Sequence, residues 1–269
     1  MRRPAVNHYV CPEGLPCVAF LDEAARRGYG AVGLTRAALS ELPAHRMRQE
    51  LAARGLHVSS VNSALLSPER TDGMDDNAWL LDAAAELDAP LNIIVTGTAA
   101  MPLSQARNCA TDVLAGFAGR AQQRGVRIVL EPLHPLHARG RSCVNTLAQV
   151  AAIREQVPTL AVNADFFHLW WDPDFDRLLL GDWMPVGLLQ VCDVAPAEDL
   201  ALPRRVPLDE GFIDWRACLR SAMRAFPDTP VELELFADQL PGRAWVDLLR
   251  TNASALAPLL GDDHAHRPD

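Results

Sequence analysis

The chain has 269 residues, 49% of them apolar, with 34 acidic against 25 basic positions and a formal charge of −9; every basic position is arginine, because the sequence contains no lysine. The missing amine excludes Schiff-base aldolases, pyridoxal-phosphate enzymes and P-loop nucleotidases, each of which depends on a lysine. The negative charge disfavours nucleic acid and anionic membranes as partners.

Short apolar or β-branched runs alternate with amphipathic stretches from one end to the other. A strand over 5–10 precedes a helix over 16–28, a strand over 31–35 a helix over 36–54, 57–62 leads to 74–88, and 91–96 to 102–124. The second half repeats the pattern with 126–131 and 145–156, 160–165 and 174–182, 187–193 and 214–225, then 231–236 and 244–260. Gly28, Gly55 and Gly125 follow three of these helices, where a left-handed cap favours glycine. Eight such units average about 34 residues, the size of one βα repeat in a closed parallel barrel. The first strand is followed by Cys11-Pro-Glu-Gly-Leu-Pro rather than the glycine-rich phosphate turn of an open doubly wound sheet. The fold class is therefore predicted as α/β, a single (β/α)8 TIM barrel over 1–262, with a polar C-terminal tail over 263–269 whose His264 and His266 read as solvated.

Six scattered cysteines without a C-x-x-C pair point to neither a zinc knuckle nor a disulfide framework. Arg2 and Arg3 are not followed by a long apolar run, and no stretch is long enough to span a bilayer, so a cytoplasmic, soluble protein is expected. A small-molecule substrate, no nucleic acid and no membrane are the expected partners, with a homo-oligomer left open.

In a parallel barrel the reactive groups sit at the C-terminal ends of the strands. The last inward positions of the fifth to eighth strands are Glu131, Asp165, Gln190 and Glu234. Three carboxylates converging there repel unless a cation neutralises them, and an oxygen-rich set suits a divalent metal cation such as Mn²⁺, Mg²⁺ or Co²⁺.

The segments Glu131-Pro-Leu-His134-Pro, Asp165-Phe-Phe-His168-Leu-Trp-Trp-Asp-Pro, Gln190-Val-Cys-Asp193, Asp209-Glu-Gly-Phe-Ile-Asp-Trp and Glu232-Leu-Glu234-Leu-Phe resemble the sugar phosphate isomerase/epimerase family with its xylose-isomerase-like barrel. The resemblance runs over essentially the whole chain and is most specific between about 126 and 237. It implies metal ligation by Glu131, Asp165, Gln190 and Glu234. Many members place His at the third position; Gln there is similar to the 3-dehydroshikimate dehydratase branch.

The resemblance also gives His168 a role in substrate contact or acid/base transfer, which suits an imidazole titrating near neutral pH. Catalytic candidates are thus Glu131, His168 and Glu234, and substrate-binding candidates are His134, Trp170, Arg204 and Arg205. His137 reads as a solvated loop residue. Trp170 and Trp171 are expected to divide between an aromatic wall and packing under the loop. Arg204 and Arg205, in the loop before Asp209, could clamp a carboxylate or phosphate, although loop arginines are more commonly surface charge. Glu232 reads as a structural carboxylate in a lower layer, paired with a cation such as Arg127. Cys192 reads as a small buried hydrophobe.

These residues suit metal-assisted proton abstraction next to a carbonyl, giving an isomerase or epimerase of a sugar or polyhydroxylated keto compound, or a dehydratase if a β-hydroxyl leaves. The apurinic endonuclease branch is disfavoured, because its extra histidines are missing where the third strand ends in Val-Asn-Ser and the fourth in Val-Thr-Gly-Thr. A non-catalytic barrel used as a binding subunit is the remaining alternative.

Overall fold

In the computed structural model, which describes residues 3–69, 75–97, 101–138, 140–196 and 203–261, eight parallel strands close into a barrel. In chain order they are β1 (Ala5–Asn7), β2 (Ala31–Thr35), β3 (His57–Leu66), β4 (Leu91–Val95), β5 (Ile128–Leu130), β6 (Ala161–Asp165), β7 (Val186–Val191) and β10 (Val231–Leu233). Each pairs with its sequence neighbour, and β1 closes the ring on β10 through Ala5 opposite Glu232 and Val6 opposite Leu233. This is the predicted (β/α)8 architecture. The 263–269 tail, with His264 and His266, lies outside the described residues.

The strands are buried on both faces, one against the helices and one in the barrel lumen, so they read as continuous apolar runs interrupted by inward polar residues. The helices bury one stripe each. In α5 (Leu103–Gln123), Ala106, Ala110, Leu114, Phe117 and Ala121 recur at helical spacing and all face the core. A buried leucine or phenylalanine of this kind contributes roughly 1.5–3 kcal/mol.

The predicted helix over 36–54 is two helices, α2 (Arg36–Glu41) and α3 (Ala44–Arg54). Pro43 lacks an N–H and pushes Leu42 out of helical geometry, to φ −126° and ψ 97°, so the chain turns there and restarts. β3 runs four residues beyond its predicted end. Its pairing with β2 slips between Val32/Val58 and Gly33/Ser60, a bulge that turns the adjacent Ser59 and Ser60 into the same buried polar cluster.

Two further strands were not anticipated. β8 (Asp193–Ala195) and β9 (Arg204–Val206) form an antiparallel hairpin above β7, with Val194 opposite Arg205. The hairpin replaces the expected loop before Asp209. Among the described residues no helix is long and apolar enough to cross a membrane.

Candidate active site

Glu131, Asp165, Gln190 and Glu234 meet at the C-terminal mouth of the barrel, each at most 4% exposed. A hydrogen-bonded belt of strand side chains holds them. Asn92 of β4 donates to Glu131 Oε2 at 2.6 Å and to Asn62 Oδ1 at 3.2 Å; Asn62 donates to Ser60 Oγ at 2.7 Å. Ser59 and Ser60 donate to Glu232 Oε2 at 2.5 and 2.6 Å, Asn7 to its Oε1 at 2.7 Å. Gln190 Nε2 then bridges Glu232 Oε1 and Glu234 Oε1, both at 2.9 Å, while its Oε1 accepts from Asn163 Nδ2 at 2.6 Å.

Glu232 is therefore not paired with Arg127, as the sequence suggested. Arg127 is exposed, whereas Glu232 is completely buried and satisfied by four neutral donors. Charge-assisted hydrogen bonds stabilise a buried carboxylate without a counterion when enough of them converge.

Arg205 is the largest departure from expectation. It is 3% exposed, and its guanidinium sits among the carboxylates rather than in solvent. Nη1 donates to Asp165 Oδ1 at 3.0 Å and Nη2 to Asp165 Oδ2 at 2.5 Å. Nη2 also lies 2.9 Å from Glu234 Oε2, a charge contact whose angle falls short of a hydrogen bond. The guanidinium carbon lies 4.4 Å from the Phe167 ring and 4.9 Å from the Phe236 ring, two aromatic faces that hold a desolvated cation. Arg204, its neighbour, alternates to the other side of the strand and is exposed.

Burial opposes ionisation of Asp165, but the Arg205 guanidinium, bonded to both of its oxygens, outweighs it and holds that carboxyl below the usual range. Burial, reinforced by the Asp165 charge, pushes Glu131 up to about 7. Glu234 is raised well above the ordinary range, first by burial and then by the charges of Asp165, Glu131 and Glu232 that Arg205 only partly offsets. Burial likewise pushes the Cys192 thiol up even though Arg205 Nη1 stands 3.7 Å from its sulfur, in keeping with a buried hydrophobe.

Asp165 also caps the one-turn helix α7 (Phe166–Leu169), accepting from the Phe167 N–H at 2.9 Å, which fixes His168 one turn above it. The backbone N–H of His134 donates to His168 Nδ1 at 3.0 Å. The neutral ring must then carry its proton on Nε2, which lies 3.4 Å from Glu131 Oε1 and 3.7 Å from Asp165 Oδ2. Glu131, Asp165 and His168 have ligand atoms close enough to hold an ion. The tautomer nevertheless makes His168 a proton donor toward the carboxylates rather than a lone-pair ligand. Burial keeps the imidazole neutral, its pKa well below the ordinary value.

The mouth opens into a cavity of about 1090 Å³ lined by Glu131, His134, His137, His168, Arg204, Arg205 and Glu234 among others. Trp170 and Trp171 are not in its lining. Trp170 packs edge-on to Phe212, and Trp171 Nε1 donates to the His168 carbonyl at 2.8 Å, so both serve the loop beneath. The aromatic wall is supplied instead by Tyr9 and Phe236, stacked 4.6 Å apart. Tyr9, Arg141 of the same cavity and the asparagine belt were missed in the sequence. The belt had a readable signal, since Asn7, Asn92 and Asn163 each interrupt a short apolar run.

The family model for the xylose isomerase-like TIM barrel matches residues 21–258, and the chain belongs to this family. Among solved structures it is similar to protein SMc04130 from Sinorhizobium meliloti 1021, with 26% identity, 95% of this chain and 97% of that one covered, and a TM-score of 0.86. It also superposes on the IOLI protein with a binding zinc atom, at 17% identity, 98% and 100% coverage and a TM-score of 0.80. D-psicose 3-epimerase, solved in the presence of D-fructose, aligns at 16% identity, 96% and 99% coverage and a TM-score of 0.73. No curated protein matched the chain.

The donor set fits a divalent cation. Glu131, Asp165, Glu232 and Glu234 are four buried carboxylates, and Arg205 is the one arginine buried among the described residues. At the mouth itself three carboxyl groups, Glu131, Asp165 and Glu234, face the single Arg205 guanidinium, and Glu234 Oε2 accepts no hydrogen bond. Hard oxygen donors with excess negative charge are what such an ion selects.

Proposed function

We infer that the chain is a divalent-metal-dependent isomerase or epimerase that acts on a sugar or polyhydroxylated keto compound by moving a proton next to a carbonyl. One observation carries this reading: Glu131, its carboxyl raised to about 7, faces the protonated Nε2 of His168 at 3.4 Å on the wall of the cavity. A carboxyl that exchanges its proton near neutral pH thus stands beside an imidazole N–H that burial keeps neutral, where a substrate would enter.

A divalent cation held by Glu131, Asp165, Gln190 and Glu234 would polarise the substrate carbonyl and acidify the neighbouring C–H. Glu131 or Glu234, ionised and placed at the mouth beside the substrate, would take that proton. His168, oriented by the His134 backbone, donates from Nε2 to developing negative charge on oxygen. Return of the proton to the opposite face gives an epimer, and return to the adjacent carbon gives an isomer. Tyr9 and Phe236 offer the apolar surface for a ring, and Arg204 and Arg205 the contacts to acidic or hydroxyl groups. The same reading makes this a cytoplasmic enzyme of carbohydrate metabolism with a small-molecule substrate and no nucleic-acid or membrane partner; its six free thiols agree with a reducing compartment.

Gln190 favours a second reading. An amide at this position resembles the 3-dehydroshikimate dehydratase branch, and loss of a β-hydroxyl from the same enolate would make the protein a lyase. A panel of keto-sugars, inososes and 3-dehydroshikimate, incubated with Mn²⁺, Mg²⁺ or Co²⁺ in heavy water, distinguishes the two. Deuterium wash-in without loss of water supports isomerisation, and loss of water supports the lyase. Glu131→Gln and Glu234→Gln are expected to lower exchange by about 10²-fold or more; full turnover in both variants overturns the shared chemistry.

A further inference from the structure

The geometry points to Arg205 as a built-in cation that occupies the divalent-metal position in the metal-free chain and must leave it for the metal to bind. This rests on the cation site of the proposed function but not on the reaction. Two contacts of Nη2 carry it: 2.5 Å to Asp165 Oδ2 and 2.9 Å to Glu234 Oε2. A divalent ion bonds oxygens at roughly 2.0–2.6 Å, so it cannot share Asp165 Oδ2 and Glu234 Oε2 with a guanidinium nitrogen seated between them. Two cations at that separation also repel strongly in a buried setting.

The surroundings provide for the exchange. Gln190 presents its N–H to Glu234 and its oxygen to Asn163, an arrangement suited to a site without metal. Asn163 Oδ1 has no partner, so turning both amides over would present the Gln190 oxygen to an ion while Gln190 Nε2 donates to Asn163, in exchange for the bond that Gln190 Nε2 gives Glu232 Oε1. The hairpin base is anchored independently of Arg205. Asp193 accepts the N–H groups of Val194, Gly211 and Ile213 at 2.8, 3.0 and 3.2 Å, and Leu208 N–H donates to Asn252 Oδ1 at 2.8 Å. The movement is therefore one of the side chain, sliding between Phe167 and Phe236 toward the cavity that Arg205 already lines.

The test compares Mn²⁺ binding by the full-length wild type and Arg205→Met, with free Mn²⁺ read by electron paramagnetic resonance. The variant is expected to bind about tenfold tighter or better. A second measurement needs only the wild type. The chain has no lysine, so an arginine-directed dicarbonyl such as phenylglyoxal reports cleanly on guanidinium exposure, with exposed Arg204 as the internal reference in the same peptide. Arg205 is expected to be protected in chelator and labelled in saturating Mn²⁺. If Arg205→Met does not fold, the labelling decides alone. Unchanged or weaker Mn²⁺ affinity in a folded variant, or Arg205 protected under both conditions, overturns the inference. Failure of both proteins to bind Mn²⁺ overturns it together with the metal part of the proposed function. Exchange of metal and Arg205 without any wash-in of deuterium supports the inference and defeats only the proposed reaction.

Discussion

Glu232 shows how a single residue can organise a site it does not enter. Its four donors come from β1, β3 and β7, so one carboxylate ties three strands together at the level just below the mouth. Gly33 makes room for it: a Cβ at that position would fall on the Glu232 carboxylate and the Asn7 amide. Deleting the carboxylate strands buried donors, each costing about 1–3 kcal/mol when left unpaired. Glu232→Ala is accordingly expected to lower stability by about 3 kcal/mol or more in urea unfolding. Glu232→Gln is expected to cost less, since an NH₂ placed beside Ser59 and Ser60 meets hydroxyls that can rotate to accept. Equal stability of the alanine variant and wild type would show that the belt is not held by this charge.

At the scale of elements, the β8–β9 hairpin decides what the mouth contains, because it carries Arg205. Its return is braced by Asp193, whose carboxylate receives Gly211 and Ile213, and by Asp209, which accepts Trp215 Nε1 at 3.1 Å and pairs with Arg216. Gly211 sits so close to Asp193 that a Cβ would strike both its Oδ1 and the Val194 carbonyl. Gly211→Ala must shift the hairpin, an overpacking that costs about 1–3 kcal/mol. Calorimetry is expected to show a lower melting temperature, and dicarbonyl labelling of Arg205 without metal is expected to rise; an unmoved hairpin would change neither. The barrel itself was legible in the sequence because eight apolar runs at even spacing are a local pattern, and so were the four mouth residues, which end consecutive strands. The hairpin was not, because three-residue strands written Asp-Val-Ala and Arg-Arg-Val carry no periodicity, and the burial of Arg205 depends on Asp165, 40 residues away. The same reason hid the partners of Glu232, two of which lie more than 170 residues away on β3. The break at Pro43 was hidden because the amphipathic pattern runs on through 36–54 on both sides of it.

For the whole molecule the missing lysine and the formal charge of −9 have one consequence: cations that could quench a buried acidic cluster come from arginine or from solution. Arg205 and the raised proton affinities of Glu131 and Glu234 let the barrel close without a metal, so chelator is expected to leave the protein folded. A divalent ion that binds only the folded barrel adds stability by mass action, about 2.7 kcal/mol when present at about 100 times its Kd. For a domain of this size each kcal/mol moves the melting temperature by roughly 2–4 °C, so Mn²⁺ at that excess is expected to raise it by roughly 5–10 °C over the chelated protein. Non-specific attraction to an acidic surface also favours Mn²⁺, and Asp165→Asn separates the two, because Asn still caps α7 yet removes one charge from the mouth and none from the surface. The shift should collapse in Asp165→Asn at the same Mn²⁺ concentration. A wild-type melting temperature indifferent to Mn²⁺, or a shift equal in the variant, would mean that the acidic mouth is balanced by Arg205 and protons alone.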